Sequence, residues 1–257
     1  MNLIKCIHTD SKCYKVNEEA KPVGIVLHST DANNKTLKRY VQPSKDNPNY
    51  DSLIAKIGKN KYGNHWNRSI KKAVTYFIGT LADGSVATAQ VLPEDICVWG
   101  VGKGKKGSYN YNPTAHIQIE VCEDDRKDKV YFSKVYKEAV ELCADICKRH
   151  GWKPSVIVSH KECHKLGYGS NHRDIDHWLS NHGKTMNNFR NDVQSCIDGV
   201  SIVTPEYRIH VVVKGDSLWA LAKKYLGSGI KYTEIKKLNG LTSNNIKPGQ
   251  KLKIPNK

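Results

Sequence analysis

Four histidines and two aspartates fall within the twenty-one residues "VSHKECHKLGYGSNHRDIDHW", from Val158 to Trp178. Imidazole nitrogens and carboxylate oxygens are the ligands of hydrolytic zinc sites, where three protein groups hold the ion and a fourth position stays open for water. His160 is one candidate ligand. A second is His28, which closes the apolar run of "GIVLHST". The third must come from His164, His172, Asp174, Asp176 or His177, and residue type alone leaves that choice open. Such a site also needs a group to take a proton from the attacking water. In "TAHIQIEV" the alternation sends Ile117, Ile119 and Val121 to one side and His116, Gln118 and Glu120 to the other, which offers the Glu120 carboxylate for that work.

These residues need elements to bring them together. The apolar runs Val23 to Leu27 and Val156 to Val158 read as buried strands, each followed by a histidine. In open α/β sheets, ligands sit beyond the carboxyl ends of the strands, so two such strands make a shared site plausible. "TYFIGTLADGSVATAQVL" reads as a hairpin turning at Asp83-Gly84. A helix after Phe132 presents Val135, Ala139, Leu142, Cys143, Ile146 and Cys147 at helical spacing and stops at Gly151. A further helix is expected from Met186 to Cys196, and residues 31–70 read as polar loop with short helix.

The composition shifts at "DGVSIVTPE", which divides the chain into residues 1–197, a linker at 198–206 and a small module at 207–257. The module reads strand, helix, helix, strand, with Asp216 or Ser217 as a helix cap and Gly227 as a stop. So short a segment makes a small core, and Trp219, Leu221, Ile235, Leu238, Leu252 and Ile254 are its expected internal anchors.

The net charge is +16, of which the module carries +9 through ten lysines and one arginine against Asp216 and Glu234. Such charge favours polyanions of any kind, including nucleic acid, acidic membranes and anionic cell-wall polymers, and does not choose among them. No nucleic-acid motif accompanies it, and "GKGKKGS" reads as a solvated loop, so no nucleic-acid partner is expected. No apolar stretch approaches the roughly 18 residues of a membrane span, so no membrane insertion is expected either. "MNLIKCIHTD" lacks the pattern of a secretory signal, which implies synthesis in the cytoplasm and some other route out if the protein acts outside. The eight cysteines show no paired CxxC spacing and read as mostly reduced and buried. Cys143 and Cys147 are assigned to core packing rather than to a metal site with His150.

Two resemblances sharpen this reading. "VKGDSLWALAKKYLG", "YTEIKKLNGL" and "IKPGQKLKIP" resemble the lysin-motif (LysM) domain, which implies a βααβ module that binds glycans containing N-acetylglucosamine. "GIVLHST", "TAHIQIEVCED" and the histidine-rich stretch resemble the type 2 N-acetylmuramoyl-L-alanine amidases over about residues 20–195, closest to those of clostridial bacteria and their phages. That family implies an α/β fold with a central mixed sheet flanked by helices, shared with the peptidoglycan recognition proteins. It implies Zn2+ held by His28, His160 and Asp174, with Asp176 the competitor to Asp174. It also implies Glu120 as the catalytic carboxylate, His172 as oxyanion stabiliser, and Trp99 and His116 as substrate-binding residues. Two positions depart from the family pattern: Gly100 follows Trp99 where relatives carry histidine, and "VTYFIG" lacks a histidine at Thr75 or Tyr76. The implied function is cleavage of peptidoglycan by an endolysin or autolysin. The alternative is a recognition protein that keeps the fold without catalysis.

Overall fold

Six strands pair in the first of two units, Met1–Ile202, and the second unit is Val203–Lys257. The computed structural model describes residues 1–69, 72–200 and 207–255. The strands are β1 (Leu3–Lys5), β2 (Ile25–Ser29), β3 (Tyr76–Thr80), β4 (Val86–Gln90), β5 (Ile117–Val121) and β6 (Ile157–Ser159), in the spatial order β1-β4-β3-β5-β2-β6. β3 and β4 form the antiparallel hairpin, with Gly84 at φ 82° in its turn. The other pairings are parallel, so the sheet is mixed.

Around it lie α1 (Lys12–Val16), α2 (Tyr50–Ile57), α3 (Lys129–His150), α4 (His160–Leu166), α5 (Asp176–Asn181) and α6 (Met186–Ile197). Side chains alternate across a strand, so each central strand feeds two cores. Ile25, Leu27, Ile78, Ile117, Ile119 and Val121 pack against α3, α5 and α6 through Val135, Leu142, Ile146, Trp178 and Phe189. Phe77, Ala87 and Ala89 face the opposite way, into a core with Leu37, Tyr40, Leu53 and Ile57. Val26 joins Val101, Tyr109 and Cys163 in a third cluster.

Several boundaries move for local reasons. The first apolar strand starts at Ile25, and Val23 is exposed. α3 begins three residues before Phe132 because Asp128 caps it, accepting from the N–H groups of Val130 and Tyr131. A turn of 3-10 helix at Pro154–Val156 delays the last strand to Ile157. Cys143 and Cys147 lie in the core against the sheet. Burial raises both thiols, that of Cys147 to about 11, which leaves them protonated and poor metal ligands.

The second unit contains β7 (Tyr207–Val211), α7 (Leu218–Leu226), α8 (Tyr232–Leu238) and β8 (Lys251–Pro255), with β7 and β8 antiparallel. Ser217 caps α7 through the Ala220 N–H, and Gly227 ends it at φ 76°. Leu218, Leu221, Ala222, Leu226, Ile235, Leu252 and Ile254 form its core. Two expected anchors are not internal: Trp219 is 53% exposed and Leu238 37% exposed. Trp219 follows Leu218 by one residue, and the inward stripe of α7 is taken by positions three and four apart. Its indole lies over Gly229, where even a Cβ would come within 2.2 Å of the ring. From position 201, the expected linker at 198–206 lies outside the described residues.

Candidate active site

Parallel pairing sets three strand ends side by side. β2 lies between β5 and β6, His28 is in register with Glu120, and Leu27 is in register with Ser159, so His160 follows at the same edge. His160 is the first residue of α4. Its backbone is fixed by a capping box in which Ser159 accepts from the Glu162 N–H while Glu162 accepts from the Ser159 N–H. Glu162 is in turn paired with Arg190 of α6 at 2.9 Å.

Three buried groups converge there. His28 Nδ1 is 3.1 Å from His160 Nδ1 and 3.2 Å from Asp174 Oδ2, and His160 Nδ1 is 3.4 Å from the same oxygen. Of the two aspartates, Asp174 reaches the histidines, and Asp176 starts α5 outside the group. His160 Nε2 lies 3.2 Å from the Val101 carbonyl, which can only accept, so that nitrogen carries the proton and Nδ1 offers its lone pair. Where both histidines carry their proton on Nε2, the three convergent atoms are all acceptors, an arrangement that repels itself unless a cation or proton lies between them. The donor set of two imidazoles and one carboxylate therefore fits a metal ion such as zinc.

The electrostatics agree in sign. Burial pushes the Asp174 carboxyl up, but hydrogen bonds to His160 and His28 and the electrostatic pull of the two rings hold it well below the ordinary carboxylate range. Burial dominates at His160 and lowers it, against the opposing pull of Asp174, which favours the neutral, ligating form.

These groups open onto a cleft of about 920 Å³. Glu120 lines it, 7% exposed, and its Oε2 is buried without a hydrogen-bond partner. Burial, then the neighbouring Asp174 and Glu123, raise its carboxyl well above the usual range, with Lys72 opposing. His172 stands at the rim, its ring stacked on His160 at 4.6 Å and its Nδ1 3.8 Å from Asp174 Oδ1. Trp99 lines the cleft as well. His116 is not among the lining residues. It stacks on Tyr109 at 3.9 Å and lies 2.8 Å from the Thr114 carbonyl, at the start of the strand whose far end carries Glu120. The alternation puts both residues on one face, but the strand's rise of roughly 3.3 Å per residue separates them along it.

Trp66, Lys72, Asn110, Tyr111 and Ser170 also line the cleft, and nothing in the residue pattern singles them out. Gln118 is different: it shares the alternation with Glu120, and its Oε1 lies 3.1 Å from His28 Nε2. His164 sits near the Gly169 carbonyl, outside the convergent group. His177 belongs to a second acidic group with Asp31 and Glu123. That group is already neutralised: Arg126 pairs with both carboxylates, Arg173 with Asp31 at 3.1 Å, and His177, raised by Glu123 against the effect of burial, lies 2.9 Å from Glu123.

Comparison with known proteins agrees with the two-unit layout. Residues 18–183 match the N-acetylmuramoyl-L-alanine amidase family (Amidase_2), and residues 210–255 match the LysM domain. SpoIVD-associated factor A of Bacillus subtilis is 52% identical over 50 residues, 19% of this chain and 12% of that protein. The N-acetylmuramoyl-L-alanine amidase sle1 of Staphylococcus saprophyticus is 54% identical over 48 residues, 19% of this chain and 14% of that protein. The chain thus spans a small fraction of these relatives' length. Among solved structures, the Staphylococcus aureus hydrolase AmiA, in complex with its ligand, aligns at 20% identity and a TM-score of 0.47 over 78% of this chain and 86% of that one. The catalytic domain of XlyA aligns at 17% identity and 0.48 over 75% and 99%.

Proposed function

Because the chain belongs to the N-acetylmuramoyl-L-alanine amidase family, we propose that it hydrolyses the amide bond between N-acetylmuramic acid and the L-alanine of the peptidoglycan stem peptide. In this reading His28, His160 and Asp174 hold zinc. The observation that carries it is the convergence of these three groups within 4.8 Å of one another, beside a cleft carboxylate with an unpartnered oxygen.

Zinc, when bound, supplies Lewis acidity, polarising a carbonyl and lowering the pKa of water toward about 7. The protein's own groups do the rest. Glu120, buried and facing the cleft, takes the proton of the attacking water and passes it to the departing amine of L-alanine. Its raised proton affinity suits both halves of that role, since the same group must accept and then donate. His172 at the rim donates to the oxygen that becomes negative as the lactyl carbonyl turns tetrahedral. Trp66 and Trp99 give the cleft flat apolar walls on which a sugar ring can lie.

The second unit binds N-acetylglucosamine-containing glycan and holds the first near its substrate, which raises the local substrate concentration. Its basic surface suits an anionic wall. Among the described residues no helix is long and apolar enough to cross a membrane. The protein acts as an endolysin or autolysin at the bacterial cell wall, and a phage or prophage protein of this kind would reach it through a holin or lysis.

Mass spectrometry of purified peptidoglycan digested by the full chain, with and without a chelator, tests the reaction. Free stem peptides beginning at L-alanine, absent after chelation, are expected. Intact glycan-peptides with the protein still bound to the wall would overturn the reading and leave a non-catalytic recognition protein.

A further inference from the structure

A buried hydrogen-bond network behind the three convergent groups joins both histidines to one asparagine, and its directions can be assigned without ambiguity. The Oδ1 of Asn110 accepts from two backbone N–H groups, Gly100 and Val101, each at 3.1 Å. A backbone N–H can only donate, so the Asn110 atom facing them is oxygen. The Gln118 amide nitrogen donates to that same Oδ1 at 2.9 Å and to the Val98 carbonyl at 3.4 Å. With its NH2 committed to two acceptors, Gln118 must turn its oxygen to His28, and His28 Nε2, 3.1 Å away, must be the donor. The lone pair of His28 is then at Nδ1, among the convergent atoms.

The second branch runs through the backbone. Val101, whose N–H is held by Asn110, offers its carbonyl to His160 Nε2 at 3.2 Å and to the Ser170 hydroxyl at 2.9 Å. Asn110 thereby anchors the outer partner of both histidines. Gln118 is fully buried and Asn110 nearly so, so each of these bonds lies away from competing water.

Gly100 gives the network its space. A Cβ there would fall 2.0 Å from Gln118 Oε1 and 3.0 Å from its Cδ. Glycine after Trp99, a departure noted in the sequence, is the residue that lets the Gln118 amide reach His28.

We infer that Gln118 and Asn110 are positioning residues for the metal, fixing Nε2 as the protonated nitrogen of both histidines so that the two Nδ1 lone pairs converge with Asp174, and that Gly100 is required for this. The inference rests on the zinc reading of the site. Outer partners of this kind set ligand orientation and basicity, and their loss commonly weakens metal binding by about 10-fold to 100-fold.

The test is zinc affinity by competition with a chromogenic chelator, together with the visible spectrum of the cobalt(II)-substituted full chain. Circular dichroism of each metal-free variant checks the fold. Gln118→Met keeps the volume and removes the acceptor, and about 10-fold to 100-fold weaker zinc binding is expected. Gly100→Ala removes no polar group yet displaces the amide, so it should weaken binding and alter the cobalt bands in the same sense. Asn110→Leu should weaken it at least as much, since both branches lose their anchor. Asn110→Asp retains the oxygen that accepts three N–H groups and should bind close to the parent. Folded Gln118→Met and Gly100→Ala proteins with parental zinc affinity and cobalt spectrum would overturn the inference while leaving the zinc reading intact. A parent chain that binds no zinc would overturn both.

Discussion

In the first unit the three convergent groups are buried, with His28 only 1% exposed. In the second unit the largest side chain, Trp219, lies half in solvent. The difference follows from size and task. A sheet covered on both faces can bury polar groups, because backbone and side-chain partners surround them and satisfy most of their hydrogen bonds. A unit of some fifty residues closes its core with Leu221, Ala222, Ile235 and Ile254, packs Tyr225 and Tyr232 against it, and leaves Trp219 and most of its lysines at the surface. Burial makes the first site selective for one protonation state, and exposure leaves the second unit a surface for binding.

Glu120→Ala should have the largest effect. It is expected to lower kcat about 100-fold to 10,000-fold while zinc affinity stays near the parent's, as read by peptide release and chelator competition. His172→Ala removes a donor at the rim rather than a buried group and should lower kcat about 100-fold to 1000-fold, with a smaller change in KM.

Stability separates the units next. Leu221→Ala is expected to cost the second unit about 2–5 kcal/mol, whereas Trp219→Ala should cost well under half as much, because its ring already meets water. Hydrogen exchange at Ile235 in the full chain reads both.

The smallest effect concerns pH. Asp216 is lowered by the Val213 N–H first and then by His210, which lies 2.7 Å away. A carboxyl lowered on folding stabilises the fold above its ordinary range near 3.9, and that contribution is lost as pH falls through the folded value. The second unit should therefore loosen slightly on acidification, and Asp216→Asn should flatten that dependence. Asp174 has the same sign in a buried setting, so the metal-free first unit should lose more on the same titration.

Much of the architecture was legible because it depends on period. Alternation in β5 placed Gln118 and Glu120 on one face, and the apolar runs ending at His28 and His160 became parallel strands with their ends at one edge. What failed to show was position along an element and the phase of a short helix. His116 shares a face with Glu120 yet sits at the other end of the strand. Trp219 is apolar in type but one residue out of phase with the inward stripe of α7. Trp66 reaches the cleft from a single turn of 3-10 helix, and Lys72 and Asn110 from irregular segments, all too short for a period to read. The choice of Asp174 over Asp176 came from family resemblance, and it is the geometry that brings Asp174 alone to the two histidines.

The proposed function requires one metal ion held by the Nδ1 atoms of His28 and His160 and by Asp174. Crystals of the full chain grown with zinc, measured on both sides of the zinc absorption edge, test it most directly. An anomalous peak about 2.0–2.2 Å from these three atoms is expected. A zinc peak on the Nε2 side of either histidine, or at Asp31, Glu123 and His177 with the first group empty, would contradict it.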